Sequence, residues 1–155
     1  MKVYFASDHA GFELKKALLD FVHLELSYEI VDCGALMLEP EDDYPPLVAG
    51  AARAVAEDAV HGIASCAIVI GGSGTGEAIV ANKFRSVRAC VFYGGNEEIV
   101  RLSREHNDAN VLSLGARFMT VDEAKAAARL WLSTPFSGDS RHARRISQID
   151  SVLQG

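Results

Sequence analysis

Residues 68–77 read Ile-Val-Ile-Gly-Gly-Ser-Gly-Thr-Gly-Glu, a β-branched run that enters a loop with four glycines and leaves it on a carboxylate. Gly71, Gly72, Gly74 and Gly76 lack the Cβ that would hold a ligand away from the backbone. Their N–H groups can therefore turn toward an anion. Glu77 does not suit a plain phosphate cradle, because its charge repels phosphate. A glycine loop that carries its own carboxylate suits a different chemistry, in which a base removes a proton and nearby amides hold the resulting oxyanion.

Known glycine motifs fail here at residues their mechanisms require. The dinucleotide fingerprint needs a glycine three places after Gly74, where Glu77 stands. A phosphate-binding P-loop built on Gly71 and Gly76 needs Lys and Ser/Thr where the chain has Glu77 and Ala78. A hydrolase elbow centred on Ser73 ends on Thr75 instead of glycine. The plain alternative is a tight strand-to-helix turn without chemistry.

Three further groups carry unusual chemistry. Asp8-His9-Ala10-Gly11 offers a carboxylate for sugar hydroxyls and an imidazole for phosphate or a hydroxyl; otherwise Asp8 is simply a helix cap. Arg104-Glu105-His106-Asn107-Asp108 concentrates polar groups at a helix end, where a histidine commonly complements the helix dipole. Arg141-His142-Ala143-Arg144-Arg145 sets cations at a helix start, against the dipole. Arg141 and Arg145 are four apart on one face and can grip a phosphate, unless they are a solvated basic face. Carboxylate base, amide-lined anion site, histidines and dibasic grip together match aldose–ketose isomerisation of a phosphorylated sugar through an enediolate, a reaction needing neither metal nor organic cofactor.

The elements that must position these groups alternate along the chain. Apolar strands are expected at Val3–Ala6, Tyr28–Asp32, Cys66–Ile70, Val87–Tyr93 and Asn110–Leu114. Helices are expected over 11–24, from the end of an acidic loop at 34–46 to about Asp58, and over 76–84, 96–105, 121–133 and 140–153. Phe12, Leu14, Leu18, Leu19 and Val22 are the core candidates of the first helix. Short apolar strands alternating with helices imply a parallel five-stranded sheet covered on both faces, a three-layer α/β/α sandwich with a C-terminal helix. Sites in such sheets lie beyond the C-terminal strand ends. Ser7-Asp8-His9, the glycine loop, Gly94-Gly95-Asn96 and Gly115-Ala116-Arg117 are therefore expected to converge.

Composition narrows the class. The 155 residues, 49% hydrophobic and 23% charged, fit one globular domain spanning 1–155. The net charge of −6 argues against a general nucleic-acid binder. No apolar run reaches the length of a membrane span, and Met1–Phe5 reads as a strand instead of a secretory signal, so a cytoplasmic protein is expected. Cys33, Cys66 and Cys90 are then reduced, buried thiols, and the scattered cysteines and histidines form no zinc pattern.

The chain resembles the ribose-5-phosphate isomerase B and galactose-6-phosphate isomerase family. The matching blocks are Ser7–Phe12, Asp43–Pro45, Gly71–Glu77, Ala81–Lys83, Ser103–Asn110, Leu114–Arg117 and Thr134–Gly138, then Arg141-His142 and Arg144-Arg145. The resemblance implies a Rossmann-like (flavodoxin-like) fold and a homodimer, or a dimer of dimers, with sites across the subunit interface. It implies the subgroup whose base is a glutamate, matching Glu77, with glycine at Gly71 where the other subgroup has a cysteine. Ser73 would then assist proton handling, and the backbone of Gly72, Gly74 and Gly76 would form the anion hole. His106 would open the sugar ring, with Asp8 and Tyr44 near the ring oxygens. His9, Arg141 and Arg145 would contact phosphate, and Asn107 and Arg117 would line the site from the neighbouring subunit.

The implied reaction interconverts ribose 5-phosphate and ribulose 5-phosphate. Isomerisation of another sugar phosphate (galactose 6-phosphate, allose 6-phosphate or a tetrose phosphate) stays open, as does a non-catalytic sugar-phosphate-binding module. For Glu77 two effects compete. A helix N-terminus lowers a carboxyl pKa, and burial raises it.

Overall fold

In a computed structural model describing residues 1–152, five strands form one parallel sheet in the order β2-β1-β3-β5-β4. The strands are β1 Lys2–Ser7, β2 Glu29–Asp32, β3 Ser65–Gly71, β4 Ala89–Phe92 and β5 Val111–Gly115. The helices are α1 Phe12–Asp20, α2 Tyr44–Val60, α3 Thr75–Ala81, α4 Glu98–Asn107, α5 Val121–Ser133 and α6 Ser140–Val152. Leu153, expected in the last helix, lies outside the described residues.

Side-chain alternation along the strands builds the three layers. Val3 and Phe5 of β1 and Cys66, Ile68 and Ile70 of β3 face α1, α4 and α5, in a cluster closed by Leu18, Val100 and Trp131. Tyr4, Ala6, Ala67 and Val69 face α2 and α3, where Val48, Ala51, Ala52, Val55 and Ala81 complete the second cluster. The expected α/β/α sandwich is thus what the chain forms. Its strand order departs from the 2-1-3-4-5 of flavodoxin by exchanging the last two strands. As a result β3 lies between β1 and β5, and β4 is at the sheet edge.

The element bounds shift for local reasons. Pro45 and Pro46 begin α2 instead of ending the acidic loop, since the first helical turn needs no N–H donor there. The first helix is a composite: a 3₁₀ turn at His9–Gly11, then α1, then a wide π turn at Phe21–Glu25. Leu14, Leu18 and Val22 are buried as expected, whereas Phe12 and Leu19 are only half-buried. Lys15 is the unexpected core residue, 1% exposed, with its Nζ donating to Asp32 at 2.7 and 2.8 Å and to the Ala35 carbonyl. This part-buried pair ties the chain leaving β2 to α1. Of the three free cysteines, Cys66 is buried and its thiol pushed up to about 12 by desolvation, while Cys33 and Cys90 are half-buried. No helix among the described residues is long and apolar enough to cross a membrane.

Candidate functional site

The ends of β1, β3 and β5 frame a pocket of about 430 Å³, a size that holds a small metabolite. Asp8, His9, Tyr44, Gly72, Ser73, Gly76, Glu77 and Arg117 line it, with Ala10 and Phe118. Convergence of three of the four expected loops is observed. Gly94-Gly95-Asn96 is absent from the lining, because the strand before it is at the sheet edge and β5 separates it from β3.

The glycine loop is shaped by close approaches. β3 and β5 stay in register past their ends, with Ala116 N–H donating to Gly71 C=O and Arg117 N–H to Gly72 C=O. Gly74 has φ +76°, the left-handed region that favours glycine, and a Cβ there would lie 2.9 Å from the Leu114 carbonyl carbon. The buried Ser113 hydroxyl donates to Gly74 C=O at 2.6 Å, and Ala78 N–H donates to the same oxygen. Ser113 thus locks the turn that aims the loop. Ser113→Ala leaves that carbonyl satisfied by Ala78, so a loss of only about 1 kcal/mol in urea unfolding is expected, with a few-fold lower kcat as the loop loosens.

Glu77 lies in the first turn of α3 yet is 4% exposed. Its carboxyl occupies the space a side chain at Gly71 would need: a Cβ there would come within 2.5 Å of Oε2 and closer still to Oε1. Burial raises its pKa above the ordinary carboxylate value. A backbone N–H bond opposes the shift, and the nearby Asp8 charge adds to it. Desolvation wins over the helix start. A buried carboxylate poised nearer neutrality is a stronger proton acceptor than an exposed one.

Asp8 serves as a cap and as a pocket wall together. Its Oδ1 accepts from Ala10 and Gly11 N–H, as the capping alternative required, while the residue also lines the pocket. Tyr44 packs over Gly76, where a Cβ would be 2.6 Å from the phenol oxygen. Ser73 is exposed, and its Oγ accepts from Thr75 N–H at 3.3 Å. No histidine ring is bonded to it among the described residues, so the hydrolase reading has no base.

Arg117 departs from its expected origin. It lines the pocket of its own chain, held there by its N–H bond to Gly72, instead of reaching over from a neighbouring subunit. His106, Asn107, Arg141 and Arg145 are absent from that pocket. Helix α4 runs back along the sheet, so His106 and Asn107 end beside Arg88, at the N-terminal edge of β4. A five-residue strand such as β5 separates the two edges by about 13 Å. His142 is the joint of this second cluster. It is buried, its Nε2 accepts from Arg141 Nε at 2.9 Å, and its Nδ1–H therefore donates to the His106 carbonyl at 3.1 Å. The His106 and His142 rings pack at 4.2 Å between centroids. Arg141, Arg145 and Asn107 are exposed there, and among the described residues neither arginine is in an ion pair.

Asp42 and Phe118 are the pocket neighbours that sequence reasoning missed. Asp42 sits in an acidic loop that reads as solvated, yet its Oδ1 accepts from His9 Nδ1 at 2.7 Å. Phe118 is 63% exposed and packs edge-on against Tyr93. Asp8, His9 and Asp42 bring ligand atoms within 4.8 Å of one another, the one such group among the described residues. Amides and the His9 ring already engage an oxygen of each carboxylate.

Comparison with known proteins gives consistent relatives. The family model described as Ribose/Galactose Isomerase matches residues 3–149. Ribose-5-phosphate isomerase B of Mycolicibacterium paratuberculosis is 44% identical over 148 residues, covering 94% of this chain and 87% of that protein. The Escherichia coli protein of the same name is 38% identical over 154 residues, covering 99% and 97%. Among solved structures, ribose-5-phosphate isomerase B from Mycoplasma genitalium with bound ribulose 5-phosphate superposes with a TM-score of 0.88. It shares 33% identity and covers 99% of this chain and 96% of its own.

Proposed function

We propose, because the chain belongs to the ribose/galactose isomerase family, that it is an aldose–ketose isomerase interconverting ribose 5-phosphate and ribulose 5-phosphate, carried by one domain spanning 1–155. The observation that carries this reading is Glu77, a buried carboxyl with a raised pKa seated against Gly71 in a pocket at the sheet's C-terminal edge. Glu77 removes the C2 proton of the open-chain aldose, and the electron pair moves into the C1 carbonyl. Amides of Gly72, Gly74 and Gly76 hold the enediolate. The O2 proton passes to O1 with help from Ser73, and Glu77 returns its proton to C1. Tyr44 and Asp8 orient the sugar hydroxyls. Conversion of ribose 5-phosphate in heavy water tests this: deuterium is expected at C1 of the ketose in those turnovers in which protonated Glu77 exchanges with solvent before it delivers to C1. Glu77→Gln that still forms ribulose 5-phosphate at the wild-type rate sinks the base, and a panel of four- and six-carbon aldose phosphates tests the length preference.

The reading places the working site between two copies of the chain. Its support is the separation of the Glu77 pocket from His106, Asn107, Arg141 and Arg145 at the opposite sheet edge. His106 from a second copy opens the ring, and Arg141 and Arg145 of that copy join Arg117 on the phosphate. A mixing experiment follows. Glu77→Gln and His106→Asn are each expected to be nearly inactive. Their mixed dimer is expected to regain half the wild-type activity, since one of its two sites unites an intact Glu77 with an intact His106. No recovery after subunit exchange means that both groups act within one chain.

The raised pKa of Glu77 has a sign. The base works ionised, so activity falls as pH drops through its folded pKa. The acid limb of kcat/KM is therefore expected above the ordinary glutamate value of 4.5. A limb at or below that value contradicts burial of the base.

A further inference from the structure

His9 is the pocket histidine, and one oxygen of one side chain decides how it is held. Asp42 Oδ1 accepts from the His9 backbone N–H at 2.9 Å and from its ring Nδ1 at 2.7 Å. The same oxygen therefore clamps the main chain and the imidazole of a residue 33 positions away. A carboxylate can only accept, so Nδ1 carries the hydrogen and Nε2 is the nitrogen left for a ligand. Asp8 does not compete for this role. Its Oδ2 lies 4.0 Å from His9 Nδ1, beyond hydrogen-bond reach, and its Oδ1 is committed to Ala10 and Gly11.

Asp42 is itself well anchored. Its N–H donates to Glu39 C=O, and two residues later the chain enters α2 at Tyr44, which lines the same pocket. Its second oxygen, Oδ2, is out of contact with solvent and has no hydrogen-bond partner among the described residues. The carboxylate's compensation there comes through His9. A charge held this way is destabilising unless the imidazole stays in place.

We propose that Asp42 is a positioning residue for substrate binding: it holds the His9 ring with Nδ1–H toward the loop and the accepting Nε2 toward a hydroxyl of the phosphosugar. This rests on the pocket being a sugar-phosphate site. The competing role is a simple pin that keeps the loop before α2 against β1.

Steady-state kinetics on ribose 5-phosphate with the full chain separate the two. Asp42→Ala is expected to raise KM about 10-fold with kcat within about 3-fold, the size of one hydrogen bond lost from binding. Asp42→Asn keeps an accepting Oδ1 and is expected to recover most of the loss. His9→Ala is expected to raise KM at least as much, and adding Asp42→Ala to it to change nothing further. A further KM increase or a kcat loss in the double variant, with no rescue by asparagine, overturns the proposal in favour of the pin. A ring-nitrogen NMR spectrum needs no turnover and decides the matter separately from the catalytic reading. The wild type is expected to show His9 protonated at Nδ1, and Asp42→Ala to shift it toward the Nε2–H form. An unchanged tautomer in that variant overturns the proposal whether or not aldose phosphates are substrates.

Discussion

Glu77→Gln is expected to lower kcat by about 10³-fold or more, within the range ascribed to a positioned general base, while KM for ribose 5-phosphate stays within a few-fold. The amide matches the carboxylate in size, so the contact with Gly71 survives, but it cannot take up a proton. An interaction made only in the transition state is removed, and that pattern touches kcat alone. Stability should move the opposite way. The folded-state pKa of Glu77 is raised above its unfolded value, so its ionisation opposes folding. Below the unfolded pKa both states hold the proton and the residue contributes no penalty. As pH rises through the folded pKa the penalty grows to its full size. Glu77→Gln is therefore expected to melt at a higher temperature than the wild type at neutral pH, with the gap closing below the ordinary glutamate value. Near-normal turnover would falsify the assignment of the base. A lower melting temperature at neutral pH would contradict the desolvation account.

Gly71→Ala is expected to leave a folded protein with kcat reduced by about 10²-fold, the loss associated with misplacing a reacting group by roughly 1 Å. The added methyl group would overlap the Glu77 carboxyl, which is the far end of a flexible side chain and can swing aside. Overpacking relieved in that way destabilises by about 1 kcal/mol. The expected result is a split, with the melting temperature nearly kept and turnover mostly lost. A cysteine at position 71 would meet the same obstacle, since its side chain would need the space the Glu77 carboxyl fills beside the pocket floor. A Gly71→Ala protein with wild-type kcat would mean that Glu77 reacts from somewhere else.

The two variants report on a carboxylate whose place beside the glycine loop was legible in the primary structure, and other parts were legible with it. The short apolar runs and the helices between them announced a parallel sheet with two covered faces, and the structure has both. Strand order was not legible. β3, β4 and β5 are apolar on both faces, so nothing local says whether β3 neighbours β4 or β5, and Gly94-Gly95-Asn96 was accordingly expected in a pocket it does not line. Asp42 was hidden because an acid in an acidic loop has the pattern of a solvated residue; its meaning lies in His9, brought beside it by the fold. Arg117 was identified as a pocket residue while its own-chain origin was not, because that depends on the Arg117–Gly72 backbone bond.

What the sequence alone determined is the set of chemical groups: glycines that open backbone to an anion, a carboxylate among them, and histidines and arginines of the types a phosphorylated sugar calls for. These are properties of residue type and short spacing, which survive without coordinates. Tertiary structure alone decided the state of the Glu77 carboxyl and its separation from His106. A helix start and burial push the Glu77 pKa in opposite directions, and only its seat against Gly71 shows that burial prevails. His106 and Glu77 are 29 residues apart in sequence and at opposite edges of the sheet, because a helix after a parallel strand must run back along it.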